Sequence, residues 1–523
     1  MRIFKLIKSI GLSAAKGIVN DPELGKIILR YPRVSSFIKR RFSANEVFGL
    51  YLSVGFISSS IFIWIFFWIL KDFIDQDLLT KSDLRILNII RFFRTEKASY
   101  FFFFVTNLGK WPVIFLGLIL SNIIFAYLRR RRYVIALTMS VVFGELFVFF
   151  IKNVVERYRP AFYYTVIRED GYSFPSGHAF MAVAFYGVLS YLFINFFKRK
   201  WLKILTVFIG FLVILGISFS RIYLGVHWAS DVLASLAAGL AWLSVIITSL
   251  KIRKKYKERK KLEDQTLIFN KGSYDSSKIK MISVSFFLFW IAFSLYYYHS
   301  NSNKIIFPVS YHDNLEEIPI GKENMTEEIF NNLPRVSETI VGESMEPINI
   351  IFVGSEEELY DDFSEAGWVS CDPLTLHSSW RMVIATLANS SYDKAPGVPS
   401  LWNAIPNDLA FEKPTEINSV KERHHVHFWK TPFILKGSDQ KIWLGTAHFD
   451  MTIKLKSSAF FPTHAIDPAI DKEREKIKTD LLEAHRIEEV REFQIVGPTL
   501  GKNQAGDMFF TDGKSYIFFS KKD

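Results

Sequence analysis

Seven apolar stretches, each near the ~20 residues that cross the hydrocarbon core of a bilayer, constrain this chain more than any other feature. They cover residues 47–70, 111–128, 133–151, 179–197, 204–220, 232–250 and 281–298. The second reaches back to Tyr100 if Lys110 lies at the membrane interface. In lipid, backbone N–H and C=O groups must pair within their own segment, so such stretches fold as helices. The expectation is an all-α polytopic membrane bundle, with a six-helix core over 47–250 and a seventh span at 281–298.

Charge divides the chain. Residues 1–300 carry 41 Lys and Arg against 17 Asp and Glu, whereas residues 301–523 carry 23 against 35. The net +12 therefore pools a basic membrane half with an acidic remainder. No basic stripe with interleaved aromatics marks the soluble part, so a nucleic-acid partner is not expected. Segments 1–46, 129–132, 198–203 and 251–280 hold 29 basic residues and alternate with the other loops. The positive-inside rule places those four in the cytoplasm and the intervening loops outside. An odd number of spans then carries residues 299–523 outward. The tail 1–46 lacks the pattern of a cleavable signal and is expected on the inner membrane surface. Residues 78–94 are amphipathic and read as a packing helix on the outer side. The single cysteine, Cys371, allows no intrachain disulfide and receives no role.

The outer loops carry three polar blocks at span ends. Lys152 is followed after six residues by Arg159-Pro160; Pro175-Ser176-Gly177-His178 opens the fourth span. Ser220-Arg221 closes the fifth, with five residues before His227 and three more before Asp231. Singly, these read as interfacial cations and an incidental turn histidine. Together they supply three cations, two imidazoles and a carboxylate. Lys152, Arg159 and Arg221 suit the three non-bridging oxygens of a phosphoryl group, whose transfer needs charge compensation above all. Ser176 and Gly177 offer a hydroxyl and close-approaching backbone N–H groups to the same anion. On a helix, His227 and Asp231 share one face, so the carboxylate can hold one ring nitrogen and leave the other free to attack phosphorus. No metal or other cofactor is required, because the cations do the electrostatic work. Glu145 interrupts the third span, ~10 Å deeper than Lys152 at 1.5 Å per residue, and is left out of the catalytic set.

These blocks, with 14 residues between Pro160 and Pro175 and 41 between His178 and Ser220, resemble the tripartite signature of the type 2 phosphatidic acid phosphatase family. The resemblance covers roughly 45–250 and is to the membrane-embedded branch. It implies His227 as nucleophile, Asp231 as its orienter and His178 as the general acid. The implied activity is hydrolysis of a lipid phosphate or diphosphate (polyprenyl diphosphate, lipid A or phosphatidate type) at the outer face of a bacterial inner membrane. Two rivals are a phosphotransferase passing the group to another lipid, and a scaffold or sensor acting through the outer domain.

Residues 299–346 are polar and read as a linker. Beyond them, strand patterns at 348–353, 425–433, 442–455 and 490–496 alternate with helices at 355–367 and 467–485, giving a soluble mixed α/β domain over 347–523. The first of those helices opens on a capping box, Ser355 with Glu358. The segments 424–429, 443–450 and 464–468 resemble the C-terminal domain of LssY-type bacterial proteins. Their His424, His427, His448, Asp450, His464 and Asp467 are a zinc-like donor set, but strand alternation turns His424 away from His425 and His427. Structural or partner-binding roles are therefore expected there, with no metal and with the partner unassigned.

Overall fold

The computed structural model describes residues 30–43, 46–263, 276–307, 316–331, 333–373, 375–388, 390, 392, 394–397, 399–415, 422–454, 463–503 and 506–521. Most of the basic tail, part of the 251–280 loop and part of the 299–346 segment thus lie outside the described residues.

The apolar stretches are helices. α1 (Pro32–Arg41) precedes α2 (Leu50–Asp75), α3 (Leu78–Phe92), α4 (Glu96–Asn107), α5 (Trp111–Tyr127), α6 (Arg131–Val155), α7 (Gly177–Phe193), α8 (Lys200–Tyr223), α9 (Ala229–Glu263) and α10 (Ser276–Asn301). Five of these (α2, α6, α8, α9, α10) are long and apolar enough to cross a membrane. α4 and α5 are long and apolar enough only as a pair, bent by 46° at the break between them, and make a sixth if counted as one span. Gly109 and Pro112 explain the bend, since neither propagates a helix from within. The fourth predicted span, α7, is shorter and contains a π turn at Val183–Gly187.

The bundle interior is apolar: Phe125, Leu137, Phe180, Phe185 and Leu192 are among its buried core. Large side chains such as Phe56 and Phe149 face outward, as expected of a lipid-facing wall. Glu145 is also on that outer surface, so it does not line the interior behind Lys152. α10 joins the bundle, with Trp290 Nε1 donating to Val113 O at 3.0 Å. The helix α3 begins where Asp72, at the end of α2, accepts from Leu79 N (3.2 Å) and Thr80 N (2.9 Å).

The soluble half begins earlier than its sequence texture suggests. The stretch read as a linker contains β1 (Ile318–Ile320), α11 (Met325–Phe330), β2 (Val336–Glu338) and β3 (Ser344–Pro347). Polar composition hid these short elements, each of which sends only a few side chains, such as Ile320, Ile329 and Phe330, into the core. Next come β4 (Ile350–Val353), α12 (Glu356–Glu365), β5 (Val369–Ser370), α13 (Leu376–Ala388), β6 (Leu401–Trp402), β7 (Ile405–Pro406), β8 (Leu409–Pro414), β9 (Arg423–Leu435), β10 (Lys441–Lys454), β11 (Thr463–Ile466), α14 (Asp471–Glu483), β12 (Ile487–Gln494), β13 (Thr499–Lys502), β14 (Met508–Thr511) and β15 (Lys514–Ser520). The capping box forms: Ser355 Oγ accepts from Glu358 N, and the Glu358 carboxylate from Ser355 N. A nine-stranded mixed sheet runs β12-β15-β4-β10-β9-β8-β5, with β1 added beside β9 and β11 beside β10.

The two halves touch through α3. Arg85 pairs with Glu338 (2.5 Å), and Asn88 donates to Ala404 O (2.7 Å).

Candidate active site

The three polar blocks converge where α6, α7, α8 and α9 end on one side of the bundle. Arg221, in the last turn of α8, is fully buried and donates to Thr106 Oγ1 on α4 (2.8 Å). The chain then turns at Gly225, whose φ is +76° and whose Cβ, if present, would lie 2.3 Å from Tyr164 O. Only glycine fits there. The turn delivers His227 to the mouth of α9, where its Nδ1 lies 3.3 Å from Asp231 Oδ2. Its Nε2 is 3.1 Å from Arg159 Nη1. Because a guanidinium can only donate, Nε2 is the acceptor nitrogen and Nδ1 carries the proton toward Asp231. Burial, with Arg159 and Arg221 close by, holds the His227 imidazole well below its usual pKa, so the ring is neutral at pH 7.

His178 sits in the first turn of α7. Its Nε2 and the Oγ of Ser176 are buried without a hydrogen-bond partner in the protein. Gly109, at the bend between α4 and α5, clears the space beside the His178 ring: a Cβ there would stand 3.1 Å from Cδ2. Lys152 is half-buried and donates to Tyr172 O. Arg159 also ties two loops together: its Nε donates to Gly171 O (3.0 Å) in the loop before α7, and its Nη1 to Val226 O (2.7 Å) in the turn before α9.

Four charged residues outside the blocks belong to the same cluster. Glu169 pairs with Arg221, with Lys110 (3.5 Å) and with Arg159 (3.7 Å), placing a carboxylate among the cations. Burial alone would raise its pKa; Arg221, His178, Lys110 and Arg159 instead hold it well below the carboxylate range. Arg157 lies within the six-residue gap between Lys152 and Arg159. It bridges Asp231 Oδ1 (2.8 Å) and Asp83 Oδ2 (2.7 Å) with all three side chains buried. Asp83, on α3, also accepts from Ser230 N at 2.9 Å. Isolated loop charges carry no spacing signal. The one available hint was Asp83, a carboxylate on the buried face of an amphipathic helix.

A cradle of cations around one anion position, beside a neutral imidazole held by a carboxylate, is an arrangement for phosphoryl chemistry. The PAP2 superfamily model matches residues 133–255. Phosphatidylglycerophosphatase B of Bacillus subtilis (strain 168) is 31% identical over 183 residues, spanning 34% of this chain and 88% of the relative. The chain belongs to the PAP2 superfamily. A further PAP2-like relative, an undecaprenyl-diphosphatase of Sulfolobus acidocaldarius, is 33% identical over 123 residues, which is 22% of this chain and 53% of its own. A solved transmembrane PAP2-type phosphatidylglycerolphosphate phosphatase from Bacillus subtilis aligns with 41% of this chain and 99% of its own, at 21% identity and a TM-score of 0.34. The LssY C-terminus model matches residues 330–514, which includes part of the stretch read as a linker. This PAP2 protein is thus a multi-pass membrane phosphatase, a phosphoric-ester hydrolase of lipid substrates, with a soluble LssY-type domain.

In the LssY-type domain the six predicted polar residues separate. His427, His448 and Asp450 share one sheet face with His425, whereas His424 points to the other and bonds Glu473 (2.8 Å). Asp467 accepts from Ala469 N (2.8 Å) at the approach to α14, and the His464 side chain lies outside the described residues.

Proposed function

We propose that this protein hydrolyses a membrane-anchored phosphate or diphosphate through a phosphohistidine on His227. The observation that carries the reading is the position of Nε2, a neutral acceptor nitrogen at the edge of the Arg159–Arg221–Lys152 cluster with its Nδ1 turned to Asp231. In the first step Nε2 attacks phosphorus, the bond from phosphorus to the lipid oxygen breaks, and His178 delivers a proton to that oxygen. In the second, water attacks the phosphohistidine, His178 takes a proton back from it, and phosphate leaves with Nε2 free again. Lys152, Arg159 and Arg221 compensate the charge on the phosphoryl oxygens, with Ser176 and the N–H of Gly177 beside them. Asp231 fixes the tautomer and stabilises the imidazolium character that develops.

A site built at helix ends suits a substrate whose headgroup reaches it while the tail stays in lipid. The charge asymmetry of the loops favours an outward-facing site on the cytoplasmic membrane, with the LssY-type domain on the same side. Phosphate release by purified full-length protein from phosphatidylglycerophosphate, undecaprenyl diphosphate, lipid A and phosphatidate tests the activity. Release from at least one is expected; no release from any would overturn the reading. A reporter fused after Asp523 tests the orientation: alkaline phosphatase activity is expected, and fluorescence of green fluorescent protein without it would contradict an outer domain.

A further inference from the structure

The LssY-type sheet carries a second cluster of chemistry-bearing side chains, remote in sequence from the phosphatase blocks. Strand register builds it. Glu412 on β8 stands opposite His425 on β9, and His425 opposite His448 on β10, so the three share a row on one face. His427, two residues along β9, points to the same face. Cys371 leaves β5 at the edge of that row, its N–H bonded to Ala410 O at 3.0 Å. One thiol sulfur, one carboxylate oxygen and one imidazole nitrogen, from Cys371, Glu412 and His425, all lie within 4.8 Å of one another.

We propose that Cys371, Glu412 and His425 bind a divalent transition-metal ion of the zinc class, with His427 placed to supply a fourth ligand. The donors are one soft sulfur, one carboxylate and imidazole nitrogens, which suits zinc and disfavours magnesium or calcium. The ring of His427 lies 4.3 Å from that of His425, centroid to centroid, and its buried Nδ1 has no hydrogen-bond partner in the protein. Gly397 keeps the site open: a Cβ there would meet His425 Cε1 at 2.7 Å and Nε2 at 3.1 Å.

Around the ligands stands the support such sites need. Arg423 Nη1 holds Glu412 Oε1 at 2.7 Å, and its Nε is 3.5 Å from Asp450 Oδ2. Asp450 Oδ1 in turn faces His448 Nε2 at 3.4 Å. This inference does not depend on the phosphatase reading.

Full-length protein in detergent, stripped by chelation and then given Zn²⁺, is expected to retain one zinc per chain after desalting, read by plasma mass spectrometry. Loading with Co²⁺ is expected to give visible d–d bands and a near-ultraviolet thiolate charge-transfer band. Cys371→Ser should remove that band, and Glu412→Gln should weaken zinc affinity more than tenfold, with circular dichroism unchanged from wild type. Folded wild-type protein that retains no zinc would overturn the proposal. So would full zinc affinity and an intact charge-transfer band in Cys371→Ser, which would locate the metal elsewhere.

Discussion

The two polar clusters of this protein are assembled by opposite means and carry opposite signs. In the bundle, side chains from consecutive helix ends and loops crowd cations around an anion position. In the LssY-type domain, side chains from neighbouring strands bring sulfur, nitrogen and carboxylate donors to a point a cation would favour. The first cluster is written along the chain, because each block abuts an apolar run and the order of spans fixes which blocks meet. The second is written across it, and only strand pairing reveals that Glu412 and His448 flank His425. Proximity in sequence therefore shows the former far better than the latter.

The comparison breaks first at Arg157, which ties the bundle site to α3. Replacing it by Met leaves Asp231 and Asp83 buried without their shared cation. Turnover should fall ~10–100-fold, as for loss of an outer-shell partner, with about 3–5 kcal/mol lost from unfolding stability. Arg157→Lys should recover part of both; wild-type turnover in Arg157→Met would remove the residue from the site. Next, Glu169→Gln removes the carboxylate that the cations hold in the absence of substrate. Inhibition by vanadate, which needs the same cations, should tighten about tenfold, worth ~1.4 kcal/mol and within the range of a hydrogen bond to a charged group. Weaker inhibition would mean that Glu169 orders the cradle more than it competes for it. The smallest expected effect is the most discriminating: EDTA should leave phosphate release unchanged while removing zinc from the LssY-type domain. Loss of turnover restored by one divalent metal would merge the two sites into one account.

How much was legible follows from the same contrast. The apolar helices and the capping box at Ser355 could be read from period and spacing, because helices and their ends are local; the eight candidate site residues Lys152, Arg159, Ser176, Gly177, His178, Arg221, His227 and Asp231 were picked out by their spacing together with the family resemblance. The bend at Gly109-Lys110 was visible only as an interfacial lysine, though it brings Lys110 to Glu169. Arg157 and Asp83 were invisible as a pair, since 74 residues and a change of helix separate them. The early strands of the soluble domain failed for another reason. They are three or four residues long, too short for a period to emerge from a polar background. Cys371 received no role from the sequence because Glu412 and His425, its neighbours on the sheet, are remote from it along the chain.

The central claim is a covalent intermediate on His227. Purified protein mixed with a ³²P-labelled lipid phosphate and quenched in the millisecond range should carry label that is labile to acid and stable to alkali. Peptide mapping should place it on the peptide containing His227, and His227→Ala should retain no label and lose turnover by at least ~10⁴-fold. Label on another residue, or wild-type turnover in His227→Ala, would contradict the account.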